Sequence, residues 1–95
     1  MPEKKRKRKK SSITINGIEY YFHKIEWEDI VGDSSIGSLE DFLKMKTAKI
    51  TTYAFVLKKD KNYLYTFASW SDDGFFGDRN IIPIGVVKNI VKIAH

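Results

Sequence analysis

Seven consecutive cations, Lys4, Lys5, Arg6, Lys7, Arg8, Lys9 and Lys10, carry the most evident chemistry in this 95-residue chain. Each ammonium or guanidinium that neutralises a phosphate releases condensed counterion, so such a run holds DNA or RNA by charge, without sequence selectivity. The chain has 17 Lys+Arg and 12 Asp+Glu, a formal balance of +5. The first ten residues hold seven of the bases and one acid, Glu3, which leaves 10 bases and 11 acids, a balance of −1, in the other 85. All the surplus positive charge is therefore in the leader, and an argument from high pI does not extend to the rest. Adjacent like charges with nothing apolar among them cannot offset chain entropy. Residues 1–12 are read as a disordered basic arm ahead of one small domain, 13–95. The same run fits a nuclear-import signal, less favoured here than polyanion contact in the cytoplasm, or a solvated, solubilising tail.

A second candidate is aromatic. Two runs rich in β-branched and aromatic residues, Ile50–Leu57 and Tyr63–Trp70, flank Lys58-Lys59-Asp60-Lys61-Asn62, which is the pattern of a strand, a charged loop and a strand. Leu57 opposite Tyr63 would set Phe55 against Tyr65 and Tyr53 against Phe67 on one face. Tyr53, Tyr63 and Tyr65 then form a possible stacking surface for bases. The competing reading makes these rings core, as aromatics in central strands usually are.

Other reactive groups are sparse. There is no cysteine, hence no disulfide framework, thiolate metal site or cysteine nucleophile. His23 has no second histidine or patterned carboxylate beside it and reads as a rim residue. Asp72, Asp73 and Asp78 lie in a glycine-containing turn that lacks the alternating ligands and final Glu of a calcium loop. Adjacent Asp72 and Asp73 would point apart in a strand, which does not suit a general-acid pair. Arg79 reads as an ion-pair anchor for Asp78 or Asp33. Lys44, Lys46 and Lys49 read as a solvated face, or as a small phosphate-facing cluster. With no nucleophile context and no glycine-rich phosphate loop, an enzyme is not expected, nor any cofactor or metal.

The elements that would hold these groups are mostly strands. Asn16-Gly17 between Ile15 and Ile18 is a strong hairpin turn signal. A longer strand follows, with Tyr20 and Phe22 on one face. Residues 32–38 are loop by composition. Ser38 with Asp41 three residues on resembles a capping box, and Leu39, Phe42 and Leu43 share one face of a helix over Leu39–Met45. That face is expected to cover an open end of the sheet. In the turn after Trp70, Phe75 or Phe76 is expected to fold back onto the core. Ile81-Ile82-Pro83-Ile84 is a short strand ended by proline, Gly85-Val86-Val87 is a 3₁₀ turn, and Lys88–Ile93 is a last strand. The fold class is mainly β with one short helix. Five or so short strands close best into a small SH3-like or Sm-like barrel, with an open α+β antiparallel sheet as the alternative. No apolar run approaches the ~20 residues of a membrane span, and the basic start is not followed by the apolar segment of a signal peptide.

Trp27-Glu28-Asp29-Ile30-Val31-Gly32-Asp33, then Ser38 to Met45, then Gly77 to Lys88, resemble small uncharacterised proteins of tailed bacteriophages and prophages. In that group a Trp-x-x-Ile-x-Gly-Asp segment precedes a helix, and an Ile-Pro-x-Gly segment precedes the last strand. The likeness spans about residues 25–93 and excludes the arm. It implies a phage-type small domain and no particular activity. The expected function is a non-enzymatic binding module whose arm contacts nucleic acid. The alternative is a protein-interaction or assembly factor with an unidentified protein partner.

Overall fold

The computed structural model describes residues 11–94. Its first feature is the hairpin of β1 (Ser12–Ile15) and β2 (Ile18–Asp29). Asn16 and Gly17 turn the chain with φ of 53° and 81°, and Ile15 faces Ile18 across the turn. Both central positions are left-handed, which is why Asn-Gly suits them. The chain is already bonded into the sheet at Ser11, whose N–H donates to the Ile93 carbonyl at 2.9 Å.

The long hairpin of β2 and β3 (Ala48–Lys59) is the spine, paired from Phe22 opposite Phe55 out to Asp29 opposite Ala48. On the other edge of β3 lies β4 (Tyr63–Phe67), and then β7 (Asn80–Pro83). A 3₁₀ turn, Ile84–Val86, leads to β8 (Val87–Lys92), which crosses to the far side and pairs with β2. There β8 and β1 share one edge. Phe22 marks the handover, its N–H donating to Ser11 and its carbonyl accepting from Ile93, both at 2.9 Å. A small ribbon of β5 (Ser69–Trp70) and β6 (Phe76–Gly77) stands apart from this sheet. All the pairings are antiparallel.

The mainly β expectation holds, but the sheet is not a closed barrel. β7 and β8, at the two ends of the order, form no ladder with each other, so the open antiparallel sheet fits. Pro83 sits at the end of edge strand β7, where a missing N–H is harmless.

The central hairpin has a different register from the one read off the sequence. The Asp60 carboxylate accepts the N–H groups of Asn62 and Tyr63 at 2.8 and 2.7 Å. That closes a tight turn in place of a five-residue loop, so Lys59 faces Leu64 and Lys58 faces Tyr65. Farther down, Val56 faces Thr66 and Phe55 faces Phe67. Leu57 is the extra residue between the two registers, a β-bulge that re-aims its side chain.

Alternation gives the sheet two cores, one on each side. On the aromatic side Ile15, Tyr20 and Phe67 are buried, with Phe55 and Phe76 against them. The Phe67 ring lies 5.4 Å from Tyr20 and 4.8 Å from Phe76, both edge to face. Of the two phenylalanines in the distal turn, Phe76 folds back and Phe75 stays 70% exposed. On the aliphatic side Ile25, Leu64 and Ile82 are buried under Val86, Val87 and Ile90. Ile25 and Leu64 are fully enclosed, worth about 1.5–3 kcal/mol each in burial. Thr66 shares this side, and its buried Oγ1 has no hydrogen-bond partner among the described residues.

The helix departs from expectation. α1 covers only Leu39–Leu43 and begins as read, with Ser38 Oγ accepting the Asp41 N–H at 3.0 Å. It buries no residue, and it covers neither an end nor a face of the sheet. Past Trp27 on β2 and before Phe55 on β3 no third strand pairs with them, so at Glu28–Asp29 opposite Lys49–Ala48 only the two remain. The connection carrying α1, residues 30–47, is therefore a flap on the end of a two-stranded ribbon.

Candidate functional site

The cations Lys4, Lys5, Arg6, Lys7, Arg8, Lys9 and Lys10 lie outside the described residues. The three tyrosines lie on the aromatic side of the sheet, but not as one surface. Tyr53 is 54% exposed and stacks at 6.3 Å on Phe22, toward the ribbon that leads to the flap. Tyr63 and Tyr65 pair edge to face at 6.4 Å at the opposite end. Between them lie Phe55 and Phe67, with the Trp70 ring 5.5 Å from Phe55. The register explains the division, because Phe55, not Tyr53, is the residue opposite Phe67. A contiguous row of three stacking tyrosines is not present.

What forms instead around Tyr65 is a shallow apolar groove of about 450 Å³. Bulged Leu57, exposed Phe75 and Ile81 wall it, and Arg79 stands at its rim. Lys58 places its ammonium 4.9 Å over the Tyr65 ring. Arg79 pairs with neither Asp78 nor Asp33 among the described residues. This end of the sheet is thus aromatic, with Arg79 and Lys58 beside the rings and Lys58 also paired with Asp60 at 3.9 Å.

The isolated reactive groups serve local structure. His23 is half-buried, and its Nδ1 lies 2.8 Å from the Tyr21 carbonyl. Burial holds its pKa below the usual value, and Lys92 opposes its charge as well. Asp73 accepts from the Ser71 hydroxyl, and Ser71 Oγ accepts the Phe75 N–H at 3.1 Å, so the distal turn closes on itself. Among the described residues no three of His, Cys, Asp and Glu converge as metal ligands. Glu28 accepts from Thr47 Oγ1 at 2.6 Å and meets Lys88 at 3.4 Å. These contacts hold the carboxylate below its ordinary range, with Thr47 the larger cause. They also fasten the root of the flap to β8.

The flap itself is the surface that sequence reasoning missed. Ile30, Ile36, Leu39, Phe42 and Leu43 are 67–102% exposed, and Val31 is 47% exposed. A groove of about 520 Å³ runs between the loop and α1, lined by Val31, Leu39, Phe42 and Met45 among others. Asp33 accepts both the N–H and the hydroxyl of Ser35, at 2.9 and 2.7 Å, which shapes the loop. These bonds lower the Asp33 pKa. The available signal was Ile36, a lone large apolar residue in a run of Gly, Asp and Ser where no packing partner is near in sequence.

No family model, curated protein or solved structure matches this chain. Among the described residues, no helix is long and apolar enough to cross a membrane.

Proposed function

We propose that this chain is a small non-enzymatic binding module whose basic arm holds nucleic acid by electrostatics while the β domain presents apolar surfaces to a partner. The observation that carries the reading is the separation of charge, seven contiguous bases ahead of a domain at −1. The cationic residues contact phosphates, of DNA or RNA alike, without reading bases. Within the domain, Lys58 over the Tyr65 ring and Arg79 in the neighbouring groove supply cationic and aromatic groups together, which supports contact with a nucleic-acid strand there. A non-enzymatic role is supported by the local employment of His23, Asp73 and Glu28, each tied to a neighbouring turn or strand. The finer fold proposed is a small SH3-like or Sm-like domain. The order β7-β4-β3-β2-β8, with a 3₁₀ turn joining its two ends, supports it. A phage-type origin and a place in the host cytoplasm are proposed on the short sequence segments alone.

Salt titration of binding to single- and double-stranded DNA tests this, using the full chain and a variant lacking residues 1–10. Seven neutralised phosphates predict a log–log salt slope of up to about −6 on duplex and −5 on single strands. The truncated variant should lose both the affinity and most of the slope. Equal affinity and slope without the arm would remove the proposal.

A second reading, a protein-interaction or assembly factor with a merely solubilising arm, is favoured by one observation. The flap exposes six large apolar side chains within fourteen residues of chain, Ile30–Leu43. Absence of any nucleic-acid retention at low salt would select it.

A further inference from the structure

We infer that the flap, residues 30–47, is a self-association surface, and that two copies of this chain pair through it about a two-fold axis. The inference is independent of nucleic-acid binding. Three features of the one element support it.

The first is area. Six side chains at these exposures offer on the order of 700 Å² of apolar surface, close to the ~800 Å² each partner gives to a standard specific interface. Monomers rarely leave contiguous apolar patches above a few hundred Å² open to water.

The second is shape. An isologous contact needs a surface complementary to itself, so that what residue i does to j, j does to i. The flap carries both halves of such a contact. Ile36 is fully exposed and takes no part in lining the groove. The groove between loop and helix is walled by Val31, Leu39, Phe42 and Met45. A β-branched knob and a groove of about 520 Å³, whose apolar walls alternate with Asp33, Ser35, Ser38 and Asp41, lie on the same eighteen-residue segment and fit one copy to the next.

The third is charge. Within the flap the acids Asp33, Glu40 and Asp41 all precede Leu43, and the bases Lys44 and Lys46 follow it. Among the described residues, no ion pair within the chain uses Glu40, Asp41, Lys44 or Lys46. Two antiparallel copies bring the acidic half of one against the basic half of the other. Parallel stacking would set like charges together, so the pattern also selects against the wrong orientation.

The occupant is therefore a second copy, and not an unrelated partner or the arm. Sedimentation equilibrium of the full chain, from ~1 to ~100 µM, should give twice the chain mass at the upper end, with concentration-dependent dissociation below. Ile36→Asp should weaken the dimer at least about tenfold. Circular dichroism of that variant should remain wild type, because Ile36 has no partner to lose in the monomer. Replacing Glu40 and Asp41 by Lys should also weaken the dimer, and adding Lys44→Glu and Lys46→Glu should recover it. A monomer at ~100 µM, or an Ile36→Asp dimer of unchanged affinity, overturns the inference. Charge reversal without recovery overturns the antiparallel arrangement.

Discussion

The two ends of the β2–β3 hairpin have similar apolar content and opposite fates. At the root, Phe22, Ile25, Phe55 and Val56 are flanked by β1 and β8 on one edge and β4 on the other. Layers then form on both sides, and two cores result. At the tip, Ile30, Leu39, Phe42 and Leu43 have no third strand beside them and stay open to water. Periodicity decides which residues share a face, but a face is buried only if the chain returns to it. Here the chain turns back at Lys59 and again at Trp70, Phe76 and Pro83, always over the root. The tip is visited once.

The largest effect should come from truncating the same kind of side chain at each end. Leu64→Ala removes a fully enclosed side chain from the aliphatic core and should cost about 2–5 kcal/mol in urea unfolding. Leu43→Ala removes one that is 75% exposed and should cost less than about 0.5 kcal/mol at concentrations where the chain is monomeric. Equal losses would mean that the flap folds against the sheet in solution, and would end the contrast drawn above.

Glycine gives a finer probe. Gly17 has φ of +81° in the β1–β2 turn, and a side chain there is forced into the left-handed region even though nothing lies near its Cβ. Gly17→Ala should destabilise by about 1–2 kcal/mol. Gly37, in the flap, shows no such backbone, and an added Cβ would meet Asp41 Cβ at an ordinary 3.8 Å. Gly37→Ala should be neutral, or should stabilise by up to about 1 kcal/mol through the unfolded chain. A shared sign at the two sites would contradict the backbone geometry.

These contrasts also mark what was legible in the sequence. Asn16-Gly17 and Ser38 with Asp41 announced their turn and cap because the chemistry is local, a left-handed pair and a hydroxyl aimed at an N–H. The short strand, the 3₁₀ turn and the last strand were legible from proline placement and alternation. The central register was not. It depends on one carboxylate, Asp60, reaching two N–H groups and leaving Leu57 to bulge, and a charged five-residue insert hides that choice. The same slip divided Tyr53 from Tyr63 and Tyr65. The flap was legible as a helix with an apolar face, but its exposure depends on where the other strands go, which no local pattern records.

The smallest effect concerns pH, and it belongs to the root alone, since the flap holds no histidine. His23 sits on β2 between Ala54 of β3 and Lys92 of β8. As neutral imidazole its Nδ1–H donates to the Tyr21 carbonyl. Burial and the Lys92 charge both disfavour the imidazolium and outweigh the carbonyl, which favours it, so the folded-state pKa lies below the model-peptide value. The unfolded chain then binds the proton more readily than the folded one, and stability must fall with falling pH wherever the two differ. His23 contributes fully above the unfolded pKa of about 6.5, and its contribution declines as pH drops through the lower folded value. The lowered carboxylates Glu19, Glu28, Asp33 and Asp60 act in the same direction, but only once pH approaches their own more acidic range. Between about pH 7 and 5 the slope is therefore assigned mainly to His23. Urea midpoints should shift down over that interval in the wild type and remain nearly flat in His23→Gln, whose amide can still donate to the Tyr21 carbonyl. A slope that survives this substitution would assign the proton to another group. A midpoint that rises on acidification would mean that the folded pKa lies above the unfolded one, with the carbonyl contact outweighing burial.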